Sequence, residues 1–129
     1  MAHLVQHHPD RTYVHLGTGP EVNTIDVTPE FWAAIDERTD LHTGRLITSF
    51  AMDADWPTWE MHPAGQEIIY VTEGEVRFHL DDGGATTDAI VTAPNYFVVP
   101  TGVWHTADAL GPARLLVITW GEGTQNRPR

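Results

Sequence analysis

The sequence predicts an all-β domain, a sandwich or small barrel, and three observations carry that prediction. From Gly44 onward, short segments rich in β-branched and aromatic residues follow one another, separated by Gly, Pro and Asp turns at intervals of about eight to twelve residues. Neither a βαβ alternation nor a phosphate-cradling Gly loop occurs, which disfavours a nucleotide-binding α/β fold. The length of 129 residues and mass of 14.4 kDa fit a single domain. A chain of that size buries about 67% of its unfolded surface, enough for a core without disulfides.

The elements follow in order. Residues 1–12 are polar and His-rich, with His3, His7 and His8, and read as a flexible arm or an edge strand added to a partner. At Val27-Thr28-Pro29-Glu30 the signals of a helix start coincide: Thr28 caps, Pro29 suits the first helical position and Glu30 complements the dipole. Phe31, Trp32 and Ile35 then recur at helical spacing, predicting a short amphipathic helix to about Arg38. Strands are predicted at Arg45 to Phe50, Thr58 to Met61, Glu67 to Thr72, Glu75 to Leu80, Ala89 to Val91, Tyr96 to Val99 and Leu115 to Trp120. Asp81-Asp82-Gly83-Gly84 marks a reversal. The polar stretch from Gly121 to Arg129 is expected to fray. The chain thus divides into an N-terminal arm and short helix (1–43), a β-barrel (44–120) and a flexible tail (121–129).

Composition narrows the chemistry. There is no Cys and no Lys, and Ser49 is the one serine, so thiol nucleophiles, disulfides, thiolate metal sites and Schiff-base lysines are excluded. Against 18 acidic residues stand seven Arg, a formal net charge of −11 with no basic cluster, which argues against nucleic acid as a partner. No run approaches the roughly 18 apolar residues of a membrane span, and the N terminus lacks the apolar stretch of a signal peptide. A cytoplasmic protein without membrane association is expected. Eight histidines and no competing soft ligand direct attention to imidazole and carboxylate chemistry.

Two segments hold the informative residues. In Trp59-Glu60-Met61-His62-Pro63-Ala64-Gly65-Gln66-Glu67, strand alternation sends Glu60 and His62 to one face, about 6–7 Å apart. The Pro63-Ala64-Gly65 turn reverses the chain, and Glu67 opens the next strand on the face of Ile69 and Val71, able to return to the same interior as His62. In Pro100-Thr101-Gly102-Val103-Trp104-His105, a tight turn delivers His105 at the start of another strand. Two imidazoles and one or two carboxylates converging inside a barrel suit Zn, Mn, Ni or Fe(II).

The spacing resembles the cupin superfamily, small jelly-roll β-barrels whose motifs read G-x5-H-x-H-x3–4-E-x6-G and G-x5-P-x-G-x2-H-x3-N. The first matches at His62, Glu67 and Gly74, the second at Pro100, Gly102 and His105, and the resemblance spans roughly Arg45 to Trp120. It implies a cupin-type β-barrel with His62, Glu67 and His105 as three metal ligands. Three positions depart from the pattern. Glu60 stands where the family has its first histidine, Pro94 holds the slot of the second motif's leading Gly, and Ala109 replaces its final Asn. Glu60 therefore occupies the place of a fourth ligand. It has three readings: a ligand, a catalytic acid or base beside the ion, or a partner of His105 in a metal-free pocket. Ligation by both carboxylates favours Fe(II) or Mn, with Zn or Ni possible.

The remaining candidates read as structural. His79 shares a strand face with Glu75 and Arg77, polar and exposed by parity, and is not expected to ligate. His15 and His42 read as surface or satisfied loop histidines, Trp104 and Tyr70 as core or interface. Arg45, Arg77 and Arg114 are the strand-associated cations, more suited to the surface than to anchoring an anion. The expected function is a metal-dependent enzyme on a small organic substrate, an oxygenase or an isomerase, lyase or cyclase using acid–base chemistry. The alternative is a non-catalytic small-molecule-binding or sensor module. A homodimer is expected from the prevalence of two-fold oligomers.

Overall fold

A computed structural model describes residues 1–129. Eleven strands run in chain order: β1 (Thr12–Leu16), β2 (Val22–Asp26), β3 (Arg45–Met52), β4 (Thr58–Met61), β5 (Glu67–Glu73), β6 (Glu75–Asp82), β7 (Ala85–Thr92), β8 (Tyr96–Val99), β9 (Trp104–Ala109), β10 (Ala113–Thr119) and β11 (Gln125–Pro128). They form two antiparallel sheets, ordered β2-β1-β3-β10-β5-β8 and β11-β4-β9-β6-β7. The fold is the all-β jelly roll the sequence predicts, the two sheets facing each other across a shared interior.

Parity explains the core. On β5, Ile69 and Val71 are fully buried, and on β10 the alternating Ala113, Leu115 and Val117 face them in register. Val76, Phe78 and Ala107 answer from the other sheet, so the apolar interior is filled from both sides. At one end the same inward-facing rows turn polar. The row Ile69, Val71 begins with Glu67, and the row Leu115, Val117 ends in Thr119, its direct cross-strand neighbour. Gly74, between β5 and β6, has φ +76, and a Cβ there would meet the Pro112 carbonyl at 2.5 Å. Only glycine makes that turn.

Three expectations are corrected. The helix predicted from Pro29 to about Arg38 is a run of turns with two 3-10 segments, Ile35–Glu37 and Thr39–Leu41. Its apolar residues do not serve one stripe. Phe31 is buried with Tyr13, Leu41 and Leu46, while Trp32 turns to Phe50, and neither 3-10 segment has a side-chain cap. Tertiary packing thus outweighs the start signals in a segment too short for a self-supporting helix. Second, the region before residue 44 contributes β1 and β2 to the larger sheet. β1 is paired on both sides, by β2 and β3. Third, the tail is not frayed throughout: Gln125–Pro128 forms β11, paired along all of β4. Arg127 is thereby a further strand-borne cation, stacked over Trp104 at 4.4 Å and Trp59 at 5.3 Å.

Candidate metal centre

The polar end of the interior is assembled from both sheets. Glu60 on β4 and His105 on β9 are direct cross-strand neighbours. His62 follows β4, and its carbonyl accepts a 2.9 Å hydrogen bond from the Gly102 amide, which fastens the two motif turns together. Gly102 takes φ +78, a conformation that the turn before β9 requires and glycine adopts without strain. From the facing sheet, β5 brings Glu67 between the two imidazoles. Its Oε2 lies 2.9 Å from His62 Nε2 and its Oε1 lies 2.9 Å from His105 Nε2. Ligating atoms of Glu60, His62 and His105 also lie within 4.8 Å of one another. All four residues singled out from the sequence therefore meet in one place.

The outer nitrogens decide what the inner ones offer. The Thr124 hydroxyl donates to the Gly121 carbonyl at 2.9 Å, so its oxygen accepts from His62 Nδ1–H at 2.8 Å. His105 Nδ1–H donates to the Val103 carbonyl at 3.2 Å. Each neutral imidazole is thus fixed in the tautomer whose Nε2 lone pair faces Glu67. Three buried atoms, His62 Nε2, His105 Nε2 and Glu67 Oε1, have no hydrogen-bond partner despite their proximity. Three lone-pair-bearing atoms converging out of water constitute a donor set that calls for positive charge. Two nitrogens and carboxylate oxygen fit a first-row divalent ion.

Electrostatics point the same way. Burial pushes the Glu67 carboxyl up, but the adjoining His105 and His62 imidazoles override it and hold the group well below the usual carboxylate range. Thr119 adds a hydroxyl donated to Glu67 Oε2 at 2.5 Å. His105 is held above the ordinary imidazole range: burial lowers it, and the Glu67 carboxylate 2.9 Å away outweighs that. Glu60 differs from Glu67. Its carboxyl makes no hydrogen bond within the chain, and burial together with the negative Glu67 pushes it up.

The centre opens into a cavity of about 620 Å³ between the sheets, reached by Glu60, His62 and Glu67 and walled by Trp32, Leu41, Phe50 and Trp56. The other histidines lie elsewhere or are satisfied. His79 pairs with Asp108 at 2.6 Å, His15 Nε2–H donates to the Thr43 carbonyl at 2.7 Å, and His42, at the cavity rim, donates to the Ile35 carbonyl at 3.0 Å. Arg77 and Arg114 pair with Asp88 and Asp10, and Arg45 is exposed, so none of these cations reaches the cavity. Sequence reasoning missed Thr119, Thr124 and the cavity-lining Trp32 and Trp56. Thr119 carries a usable signal, since it continues the inward row of Leu115 and Val117. Thr124 carries none until β11 is placed.

Known proteins agree with this architecture. Among solved structures, oxalate oxidase shares 25% identity over 63% of this chain and 44% of its own, with a TM-score of 0.52. A cupin-2 domain protein from Shewanella frigidimarina shares 20% identity over 66% of this chain and 71% of its own, with a TM-score of 0.50. Oxalate decarboxylase of Bacillus subtilis, whose Mn(II) centres have been characterised, shares 16% identity over 65% of this chain and 23% of its own, with a TM-score of 0.54. The chain spans less than half the length of oxalate oxidase. No curated protein sequence matches it. The cupin domain family matches residues 46–119, more than half of the chain and the stretch that carries Glu60, His62, Glu67 and His105, so the protein belongs to the cupin domain family.

Proposed function

We propose that this cupin is a metal-dependent enzyme that moves a proton on a small organic substrate, an isomerase, lyase or cyclase, with Glu60 as the acid–base group. The observation that carries the reading is the set of three buried, unpartnered acceptor atoms on His62, Glu67 and His105 beside a carboxyl that is free of hydrogen bonds. His62, His105 and Glu67 would hold the ion, and the oxygen and nitrogen donors favour Mn(II) or Fe(II). A bound divalent ion supplies positive charge that polarises a substrate oxygen and acidifies the neighbouring C–H.

The chain's own residues do the rest. Thr124 and the Val103 carbonyl keep the two imidazoles turned inward, and Thr119 holds Glu67 in place. Trp32, Phe50 and Trp56 wall the cavity with apolar surface. Glu60 faces that cavity with its proton affinity raised by burial and by the negative Glu67, which suits a group that accepts and returns a proton.

The test is elemental analysis of protein purified without a His tag, alongside Glu60→Gln and His105→Ala. Wild type and Glu60→Gln are expected to retain the metal and His105→Ala to lose it. A metal-free wild type overturns the metal reading. Loss of metal from Glu60→Gln makes Glu60 a ligand instead. Oxygen uptake by the Fe(II)-loaded protein during turnover would replace proton transfer with oxygenation.

A further inference from the structure

The sign of the charges around the cavity restricts what enters it. Three carboxylates line it: Glu60 and Glu67 at the inner end and Asp36 at the mouth. No Arg does, and the chain has no Lys. Five of the seven arginines are paired with aspartates elsewhere, and Arg11 and Arg45 are exposed. The walls between mouth and centre are the faces of Trp32, Phe50 and Trp56 with Leu41, and the neutral polar groups of Thr58 and Asn126 accompany them.

An anion entering this space would give up its hydration without meeting an arginine or a lysine, and it would approach carboxylates on the way. A dicarboxylate is worst placed, because it brings two such charges past Asp36 and the apolar walls. An uncharged molecule has no such charge to desolvate. Its flat or aliphatic body covers the indole and phenyl faces, and an oxygen-bearing head reaches Glu60.

Resting on the reading of this cavity as the substrate site, we propose that the protein takes uncharged, apolar-bodied small molecules and discriminates against anionic ones, oxalate and other small dicarboxylates included. Its substrate class therefore differs from that of the oxalate-acting cupins it resembles in fold.

The experiment uses probes of one shape that differ in charge: benzamide against benzoate. Calorimetry and quenching of the cavity tryptophans read binding to the full chain, both metal-stripped and Mn(II)-loaded. Benzamide is expected to bind at least about tenfold more tightly than benzoate in both forms, equivalent to about 1.4 kcal/mol. Asp36→Arg, which places a cation at the mouth away from the metal centre, is expected to narrow that gap to about threefold or less, chiefly by strengthening benzoate. Benzoate binding as tightly as benzamide in either wild-type form overturns the proposal, as does failure of both probes to bind at millimolar concentration. Metal content measured on the same samples separates the two readings. Benzamide preference in a protein that takes up no Mn(II) overturns the metal reading alone, and benzoate preference in a loaded protein overturns the charge inference alone.

Discussion

At the scale of single residues, the outer nitrogens of the two imidazoles matter as much as the inner ones. Thr124 accepts from His62 while donating to a backbone carbonyl, so the proton on Nδ1 is specified by a chain of two hydrogen bonds. Thr124→Ala removes that specification and leaves His62 free to rotate or change tautomer. A loss of about 10–100-fold in metal affinity is expected, with Thr124→Ser restoring most of it, read by competition against a calibrated chelator. His62, Glu67 and His105 were legible from sequence because alternation and two turns suffice to aim them inward. Glu60 was legible in position but not in role. What distinguishes it from Glu67 is the absence of a hydrogen-bonding partner, and strand parity contains no information about that.

At the scale of elements, two segments outside the central barrel sequence complete the structure. The N-terminal segment is pinned where Asp10 accepts from Ser49 at 2.8 Å and pairs with Arg114. Burial pushes the Asp10 carboxyl up, but Arg114 and Ser49 override it and hold it below its usual 3.8. A depressed carboxyl contributes stability above its unfolded pKa and loses it as pH falls, so Asp10→Asn is expected to lower the melting midpoint near neutral pH. The difference from wild type should shrink as pH falls below 3.8, as thermal unfolding across the acid range will read. The C-terminal strand is the other segment. Truncation after Trp120 removes β11 and Thr124 together, and is expected to reduce metal retention more than Thr124→Ala does, measured by elemental analysis after dialysis. The seven strands read from sequence all exist, most with ends within two residues of those expected, because their pattern is local. β9 was legible only at its start, where the turn delivers His105, and β1, β2 and β11 were not legible. The residues of β2 and β11 are mostly exposed and polar, with little alternation, and their strand character comes from the strands they pair with, whereas β1 is a five-residue segment whose alternating burial, Tyr13 and His15 inward, is set between two partner strands.

At the scale of the whole molecule, one interior serves two purposes along the same rows of side chains. Its apolar part carries stability. Leu115 is fully buried at the centre, and Leu115→Ala is expected to cost about 2–5 kcal/mol in urea unfolding, with metal content unchanged in the folded fraction. The polar end couples stability to ligand instead. If the ion binds only the folded chain, saturation at about a hundred times its dissociation constant adds about 2.7 kcal/mol, so chelator should lower the melting midpoint of wild type and leave that of His105→Ala unmoved. The architecture as a whole was legible because turn spacing and two motifs lie in one continuous stretch. The cavity's walls were less so, since Trp32 reaches them from a segment whose local signals indicate a helix.

The pairing of β11 with β4 also has a mechanical consequence. That short terminal strand holds on to the sheet at its outermost edge, and the same stretch of backbone carries the hydroxyl that steadies His62. Tension applied at the C terminus would therefore peel β11 away like a tab before the barrel yields, and would slacken the grip on the metal while the remaining strands are still folded. Cargo fused at that end could in this way transmit load to the metal centre without touching it.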